Sequence, residues 1–404
     1  FATARQLYAE FLTAKGRMEE AIQEIEPAQN LEPLSPIVNT VVGDEDRFTV
    51  LERTPSLKAL TYRGEKTIRY ETVNDPVIDA PNDVIVKIHL TAICGSDLHI
   101  YHDREKGLDH GTTMGHEFVG EVVEVGGAVN GLKKGSLVAS PFTTNCGNCF
   151  YCRKGLTARC PKGRLFGWVS HGAGLQGVQA EYARIPLAES TLFVIPQDLT
   201  AEEGLLLGDV LSTGYFCADQ AGIEPRGVSA VVGCGPVGIM AIAAARHFGA
   251  EQVYGIDAVP ERLKLGEKFG AIPVHYEKED PVEIVRQATG GRGADAVLEV
   301  VGRPSAGRLA LSLVRPGGVI SAVGVHTEKN SRLSLKEAYD KNLTYRIGRC
   351  PVRHYMERLI PLIRERKYPL TSIISHRFPL SDGVHGYEIF DKKQEGCTKV
   401  ILTP

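Results

Sequence analysis

The chain has 404 residues, of which 43% are hydrophobic and 24% charged, a composition typical of a folded globular protein with apolar material for two domains. The net charge of -3 disfavours nucleic acid or an anionic membrane surface as a partner. Because no run of about 18 apolar residues occurs, no segment is expected to span a membrane.

Residues 1–55 are expected to form an N-terminal extension that is partly helical. Between residues 5 and 26, apolar side chains recur at three-, four- and seven-residue steps, which predicts an amphipathic helix docked on its own chain or on another subunit. The prolines from Pro27 to Pro36 would end any helix. The sequence starts with Phe1, which fits either a trimmed chain or the removal of a targeting peptide.

The remaining sequence predicts two domains of different character. Alternating β-branched segments such as DVIVKIHLTAIC indicate a β-rich domain over residues 56–207. From there, short buried strands alternate with helical stretches, which predicts a parallel, doubly wound sheet over residues 208–344. Residues 345–404 return to mixed helix and strand. The expected fold class is therefore α/β.

Four cysteines crowd into one short segment: Cys146, Cys149, Cys152 and Cys160. Four thiolates at this spacing can enclose one tetrahedral zinc ion and leave no open position, which predicts a structural site. Two disulfides or free thiols are the alternatives. The odd total of nine cysteines argues against a secreted disulfide framework and favours a reducing intracellular compartment, the mitochondrial matrix or the cytoplasm.

A second group of metal-binding side chains lies earlier in the chain. Cys94 follows a predicted strand, and His116 and Glu117 come 22 and 23 residues later. A thiolate, an imidazole and a carboxylate suit a catalytic zinc that keeps room for substrate. Each residue taken alone is ordinary, since a single histidine near glycines is more often structural.

A glycine turn opens the second domain. Gly233, Gly235, Pro236, Val237 and Gly238 lie between an apolar strand and an Ala-rich helical run. This G-x-G-x-x-G pattern permits a tight turn and a close approach of the backbone to a pyrophosphate at a helix N-terminus.

Asp257 follows Gly238 by 19 residues, at the end of the next predicted strand. An acid at this distance accepts hydrogen bonds from the adenosine ribose and repels the additional phosphate of NADP. The expected cofactor is therefore NAD.

Together, Cys94, the GHE segment at 115–117 and the later cysteine cluster resemble the zinc-dependent medium-chain dehydrogenase family. The resemblance covers about residues 57–404, and members of the family include alcohol, polyol and formaldehyde dehydrogenases. It implies a GroES-like catalytic domain formed by residues 56–207 and 345–404, and a Rossmann domain formed by residues 208–344.

The resemblance also implies roles for the first metal group. Cys94 and His116 match the family's catalytic zinc ligands, and Glu117 matches a ligand or an exchangeable neighbour of the metal. Asp209 stands at the domain junction, where liver-type alcohol dehydrogenases carry a cysteine and where an aspartate resembles the formaldehyde dehydrogenase branch. A carboxylate there is a reasonable zinc ligand; the alternative is a helix N-cap or a buried partner of a backbone amide.

Three residues near Cys94 match the family's supporting machinery. Asp97 matches an acid that orients the ligand histidine. Ser96 and His99 match a relay that carries the alcohol proton outward, for which a histidine with a near-neutral pKa is suited. The alternatives are a turn residue for Ser96 and a surface side chain for His99.

Further cofactor contacts follow from the same resemblance. Arg262 matches a basic position on the adenosine ribose and could tolerate NADP in part. Arg353 could match an arginine on the pyrophosphate, and the alternative is a surface charge. The turns around Gly302 and Gly324 match those that hold the nicotinamide.

The expected activity is reversible hydride transfer between NAD and a primary, secondary or polyhydroxy alcohol, giving an aldehyde or ketone, with one catalytic and one structural zinc. Phe142 and Trp168 are candidates for shaping the substrate pocket. The resemblance implies a homodimer or homotetramer. The competing hypothesis is a non-catalytic zinc-binding subunit of a larger assembly that retains the dehydrogenase fold.

Overall fold

The computed structural model describes residues 57–328 and 333–404; the helix expected between residues 5 and 26 lies outside them. The described residues contain seventeen strands: β1 Leu57–Tyr62, β2 Ile68–Val73, β3 Val84–Ile93, β4 Phe118–Val125, β5 Leu137–Ala139, β6 Trp168–Ser170, β7 Ala173–Leu175, β8 Tyr182–Ile185, β9 Phe193–Val194, β10 Val228–Val232, β11 Gln252–Asp257, β12 Ile272–His275, β13 Ala294–Glu299, β14 Val314–Ala322, β15 Thr344–Ile347, β16 Ile374–Pro379 and β17 Lys399–Thr403.

The same residues contain twelve α-helices: α1 Asp97–Tyr101, α2 Phe150–Arg153, α3 Ala188–Thr191, α4 Ala201–Leu207, α5 Val210–Ala221, α6 Pro236–His247, α7 Pro260–Lys268, α8 Pro281–Ala288, α9 Pro304–Leu313, α10 Leu335–Asp340, α11 Val352–Arg364 and α12 Gly383–Lys392. Three short 3-10 helices cover Thr157–Arg159, Leu370–Ile373 and Leu380–Asp382. None of the described helices is long and apolar enough to cross a membrane.

The first domain is built on a seven-stranded sheet. Its strand order is β16-β17-β3-β4-β5-β9, and β8 also pairs with β3. The C-terminal strand β17 runs antiparallel to β3, with Ile401 opposite Ala92. The end of the chain therefore returns to the sheet that carries Cys94 at the end of β3.

The second domain is a six-stranded sheet in the order β12-β11-β10-β13-β14-β15, and every pair in it is parallel. The chain order reverses between β10 and β13, which is the arrangement of dinucleotide-binding sheets and opens a crevice at the carboxyl ends of these strands. The predicted doubly wound α/β fold is confirmed.

The parallel sheet continues beyond the expected domain boundary at residue 344. Thr344–Ile347 form β15, which continues the parallel sheet with Tyr345 opposite Ile320. Because β15 is an edge strand with exposed Thr344, Arg346 and Ile347, its sequence lacks the continuous apolar run that marks the inner strands.

Helix α5 joins the two sheets. One apolar core contains Ala92 and Val119 of the first sheet together with Leu211 of α5 and Met240 of α6. Helices α5 and α6 approach closely at Gly214, where a Cβ atom would lie 2.6 Å from the backbone nitrogen of Ala241. This packing fixes the start of α5, and so the position of Asp209, against the end of β3.

Candidate metal centres and cofactor cleft

The four clustered cysteines come together as predicted from their spacing. The Sγ atoms of Cys146, Cys149, Cys152 and Cys160 all lie within 4.8 Å of one another, and none of the four forms a disulfide. Gly147, at a φ of 71°, lets the backbone turn around them. The group is a compact, closed set of sulfur donors.

Backbone amides already point at these sulfurs. The N–H of Cys146 donates to Cys160 Sγ at 3.3 Å, and the N–H of Cys152 donates to Cys149 Sγ at 3.5 Å. Burial and the neighbouring thiols raise the pKa of Cys152 to about 12. Because four thiolates this close repel one another, the donor set fits a divalent cation such as zinc.

The second group assembles from three separate elements. Cys94 follows β3, His116 and Glu117 precede β4, and Asp209 precedes α5. Their ligand atoms all lie within 4.8 Å of one another. Cys94 Sγ is 3.3 Å and His116 Nε2 is 3.5 Å from the same oxygen, Oδ2 of Asp209.

The alternative role for Asp209 is not seen. Although Asp209 occupies the N-cap position of α5, its side chain makes no capping hydrogen bond. Its Oδ1 accepts a hydrogen bond from Thr213 Oγ1 at 3.2 Å, and its Oδ2 faces Cys94 and His116. The side chain is therefore free to act as a metal ligand.

The electrostatics of this group also fit a cation. Burial and the carboxylate of Asp209 raise the pKa of Cys94 to about 11, and burial raises the pKa of Glu117. Three acidic side chains, those of Cys94, Glu117 and Asp209, are thus buried close together beside His116. A divalent ion would stabilise their deprotonated forms together.

Asp97 orients the imidazole of His116. Its Oδ1 lies 3.1 Å from His116 Nδ1, so the proton of a neutral imidazole belongs on Nδ1 and the lone pair of Nε2 faces Asp209. Oδ2 of Asp97 accepts from the N–H of Cys94 at 3.0 Å and from Gln179 Nε2 at 3.4 Å. Gln179 in turn accepts a hydrogen bond from Tyr387, and sequence reasoning identified neither residue.

Glu117 is paired with a lysine that the sequence analysis also missed. Oε1 of Glu117 lies 2.5 Å from Lys399 Nζ, and the side chains are 0% and 1% exposed. Lys399 also donates to the carbonyl of Ile93 at 3.2 Å. Oε2 of Glu117 is buried without a hydrogen-bond partner among the described residues, which suits an atom that faces a metal ion.

Ser96 and His99 both line the cleft beside this group. Ser96 Oγ lies 3.3 Å from His116 Nε2. Burial, together with the charges of Arg104 and Arg303, lowers the pKa of His99 to about 4. His99 is therefore neutral at pH 7, with a pKa well below the near-neutral value expected for a relay.

A cleft of about 980 Å³ connects the metal group with the carboxyl ends of the parallel strands. The glycine turn predicted to bind the pyrophosphate lines it, with Gly233, Gly235, Pro236, Val237 and Gly238 all contributing. Gly238 requires the absence of a side chain, because a Cβ atom there would collide with the carbonyl oxygen of Gly233.

Asp257 and Arg262 line the same cleft. The carboxylate of Asp257 accepts hydrogen bonds from the N–H groups of Cys234, at 2.8 Å, and of Val259, at 3.0 Å. These bonds hold the acid at the end of β11 beside the glycine turn. Arg262 Nε is buried without a hydrogen-bond partner among the described residues.

Two predicted cleft residues lie elsewhere. Arg353 does not line the cleft: its guanidinium pairs with Glu357 one helical turn away, at 3.1 Å, and lies over the ring of Phe193. Arg349, four residues earlier, lines the cleft instead. Phe142 lines it as predicted, whereas Trp168 packs against a core in the first domain.

Comparisons with known proteins agree with this architecture. The model of the alcohol dehydrogenase GroES-like domain matches residues 80–197, and that of the zinc-binding dehydrogenase domain matches residues 236–365. Zinc-type alcohol dehydrogenase B of Aspergillus flavus is 40% identical over 343 residues, or 83% of this chain and 79% of the relative. L-threonine 3-dehydrogenase of Bacillus licheniformis is 33% identical, over 86% and 99% of the two chains.

A solved structure extends the match to three dimensions. Alcohol dehydrogenase TADH from Thermus sp. ATN1 superimposes with a TM-score of 0.82 and 39% identity, over 86% of this chain and 99% of that one. The predicted GroES-like domain is thereby confirmed alongside the doubly wound domain.

Proposed function

Because the chain belongs to the zinc-dependent medium-chain dehydrogenase family, we propose that it transfers a hydride reversibly between NAD and a primary, secondary or polyhydroxy alcohol. The observation that carries this proposal is the convergence of Cys94, His116, Glu117 and Asp209 at one end of a cleft whose other end holds the glycine turn. A metal able to polarise an oxygen and a nicotinamide cofactor would then share one cavity.

Zinc would supply Lewis acidity, and the nicotinamide would accept the hydride. The chain's own residues orient His116 and move a proton. Asp97 fixes the imidazole of His116 through Nδ1. Ser96 Oγ, 3.3 Å from His116 Nε2, is placed to take the proton of the substrate hydroxyl. His99 lines the same cleft with a buried Nδ1 that has no partner among the described residues; because its pKa is lowered to about 4, it can pass this proton toward solvent but does not retain it.

The preference for NAD rests on Asp257. Its carboxylate is largely buried, at 8% exposure, and stands at the end of β11 beside the glycine turn. A fixed negative charge there disfavours the additional phosphate of NADP and accepts hydrogen bonds from a free ribose. Arg262 in the same cleft supports weak residual use of NADP.

The proposal includes a homodimer or homotetramer. The outer edge of β15 has no strand partner in the part of the chain that the structure describes. Ile347 on this strand, and Leu335 and Tyr339 on the preceding helix, are 56%, 77% and 82% exposed. An unpaired edge flanked by exposed apolar side chains supports pairing with a second copy. Light scattering after gel filtration would measure the number of copies in the assembly.

The proposed location is a reducing compartment, the mitochondrial matrix or the cytoplasm. All nine cysteines are described, and every one is free, which supports a reducing setting. Imaging of the tagged full-length protein in its native cell tests this part of the proposal.

A panel of alcohols tests the activity. Zinc-loaded protein is mixed with NAD or NADP and with primary, secondary and polyhydroxy alcohols, and reduced cofactor is followed by absorbance. We expect turnover of at least one alcohol class, faster with NAD. Absence of turnover with every alcohol and both cofactors, in protein that carries two zinc ions, would favour the non-catalytic subunit that the sequence left as the alternative.

A further inference from the structure

Glu299 is a buried carboxylate at the cofactor cleft for which the proposed mechanism has no use. It ends β13, opposite Val232 of β10, at the point where the strand order reverses. We propose that Glu299 and His326 form a clamp that positions the nicotinamide half of the cofactor, by holding together the two turns at residues 300–302 and 323–326. This inference rests on the proposed use of a nicotinamide cofactor.

Glu299 binds both turns through hydrogen bonds. Its side-chain Oε1 accepts from the N–H groups of Val301 and Gly302, at 2.8 and 2.7 Å. Its main-chain carbonyl accepts from the N–H groups of Val323 and Gly324, at 2.9 and 3.3 Å. One residue therefore sets the distance between two turns that come from different strands.

His326 completes the clamp on the remaining oxygen. Its Nε2 lies 3.2 Å from Glu299 Oε2, and it lines the cleft with 29% of its side chain exposed, against 1% for Glu299. The adjacent carboxylate of Glu299 raises the pKa of His326. Oε1 is satisfied by the N–H groups of Val301 and Gly302, whereas Oε2 has no hydrogen-bond partner among the described residues, so the nearby imidazole is the one cationic group placed to offset its burial.

The two turns also interlock sterically. A Cβ atom on Gly324 would collide with the backbone nitrogen of Gly302, and one on Gly302 would collide with the carbonyl oxygen of Val325. The turns therefore have one close arrangement, and a change in either one displaces the other.

The wall made by these turns is apolar. Val300, Val301, Val323 and Val325 all line the cleft, on the side reached from the glycine turn. A flat heterocycle with an amide substituent suits such a surface, with apolar contact to the ring and nearby backbone amides for the polar group. The clamp should therefore act on the nicotinamide and not on the adenosine end, which Asp257 serves.

The same strand provides a matched control. Asp295 lies near the opposite end of β13, away from the cleft, and is bonded in the same manner: it accepts from the N–H of Val228 at 2.7 Å and pairs with Arg315 Nε at 2.5 Å. Both carboxylates lie near an end of β13, and each contacts a backbone amide and a basic side chain. Asp295→Asn and Glu299→Gln each remove one negative charge from such a carboxylate.

The test compares the binding of NADH with that of ADP-ribose, which lacks the nicotinamide, by calorimetry on purified full-length protein. In Glu299→Gln and in His326→Gln we expect NADH to bind about 10-fold more weakly, because the charged contact between the two side chains is lost. The affinity for ADP-ribose should stay within about 2-fold. Asp295→Asn should lower the melting temperature and leave both affinities unchanged.

A purely structural role gives a different pattern. If Glu299→Gln and His326→Gln bind NADH as tightly as wild type, or lose affinity for both ligands equally, the clamp is wrong while the proposed function stands. If wild type itself binds no NADH, the proposed function fails and the clamp with it. Should Glu299→Gln not fold, His326→Gln decides alone, because it leaves the four backbone hydrogen bonds of Glu299 in place.

Discussion

Lys399 and Glu117 form a fully buried ion pair beside Cys94, His116 and Asp209. Taking both charges out of water is costly, and the 2.5 Å contact offsets that cost only while both partners are present. Because Oε1 of Glu117 binds Lys399, Oε2 remains available on the side of Cys94, His116 and Asp209. Lys399, a lysine within an otherwise apolar strand, therefore both neutralises and orients Glu117.

Removing this lysine should destabilise the protein strongly. In Lys399→Met the carboxylate of Glu117 remains buried without its cation, which costs about 3–5 kcal/mol in the free energy of unfolding, measured by urea denaturation of the metal-free protein. The double variant Lys399→Met with Glu117→Gln should recover most of the loss. A double variant as unstable as the single one would contradict the pairing.

Asp257 should determine the choice of cofactor. Asp257→Gly removes the charge that disfavours the ribose phosphate, so the ratio of kcat/KM for NADP over NAD should rise about 10-fold or more. Both values are measured with the best alcohol of the panel. Glu261→Gln, on the exposed first turn of α7, removes a nearby charge as a control and should leave the ratio unchanged; an unchanged ratio in Asp257→Gly as well would contradict the account.

His326 should make stability depend on pH in a defined direction. Its pKa is raised in the folded state, chiefly by its close contact with the Glu299 carboxylate and also by the charge of Glu328. The protonated imidazole therefore contributes its full stability below the unfolded value of about 6.5, and this contribution is lost as the pH rises through the higher folded pKa.

The measurement is the melting temperature of wild type and His326→Gln between about pH 6 and pH 9. The stability gap between the two proteins should be largest at the acidic end and should shrink toward the alkaline end. A gap that widens with rising pH would mean that His326 is held neutral in the folded protein.

At the scale of elements, the segment from Cys146 to Cys160 buries little of its apolar surface. It contains the four-residue α2, which buries none of its residues, and exposed Phe150, Tyr151 and Leu156. Such a segment cannot be ordered by hydrophobic burial alone, so a bound zinc would supply most of its stability.

Loss of this metal should affect stability before it affects chemistry. Cys149→Ser is expected to lower the melting temperature by several degrees and to remove one zinc ion per chain, while the remaining folded protein keeps its turnover at low temperature. Cys397→Ser, a buried cysteine outside both metal groups, is the control and should keep both ions. Normal stability of Cys149→Ser would contradict a structural site.

At the scale of the whole molecule, patterns within short segments of the sequence predicted most of the fold. The cysteine spacing, the glycine turn and the alternation of strands and helices are all visible within short segments, and they indicated both sheets and the closed metal site. The resemblance to the family added Asp209, which lies 115 residues from Cys94 and could not have been joined to it by spacing.

The partners that were missed are those that only folding brings together. Lys399 is 282 residues from Glu117, and Gln179 is 82 residues from Asp97. Their sequence signals are weak: a single lysine in an apolar strand, and a glutamine among glycines. Arg353 lies outside the cleft lining, because its guanidinium pairs along its own helix with Glu357; its expected contact with the pyrophosphate stays a prediction.

The most direct test of the account measures zinc content and reduced-cofactor formation together, in wild type and in His116→Ala. Wild type should carry two zinc ions per chain and reduce NAD with at least one alcohol. His116→Ala should carry one, stay folded, and lose turnover by about 1000-fold or more, since the lost polarisation is worth several kcal/mol. A His116→Ala protein that turns over normally would contradict the central claim that this metal group performs the chemistry.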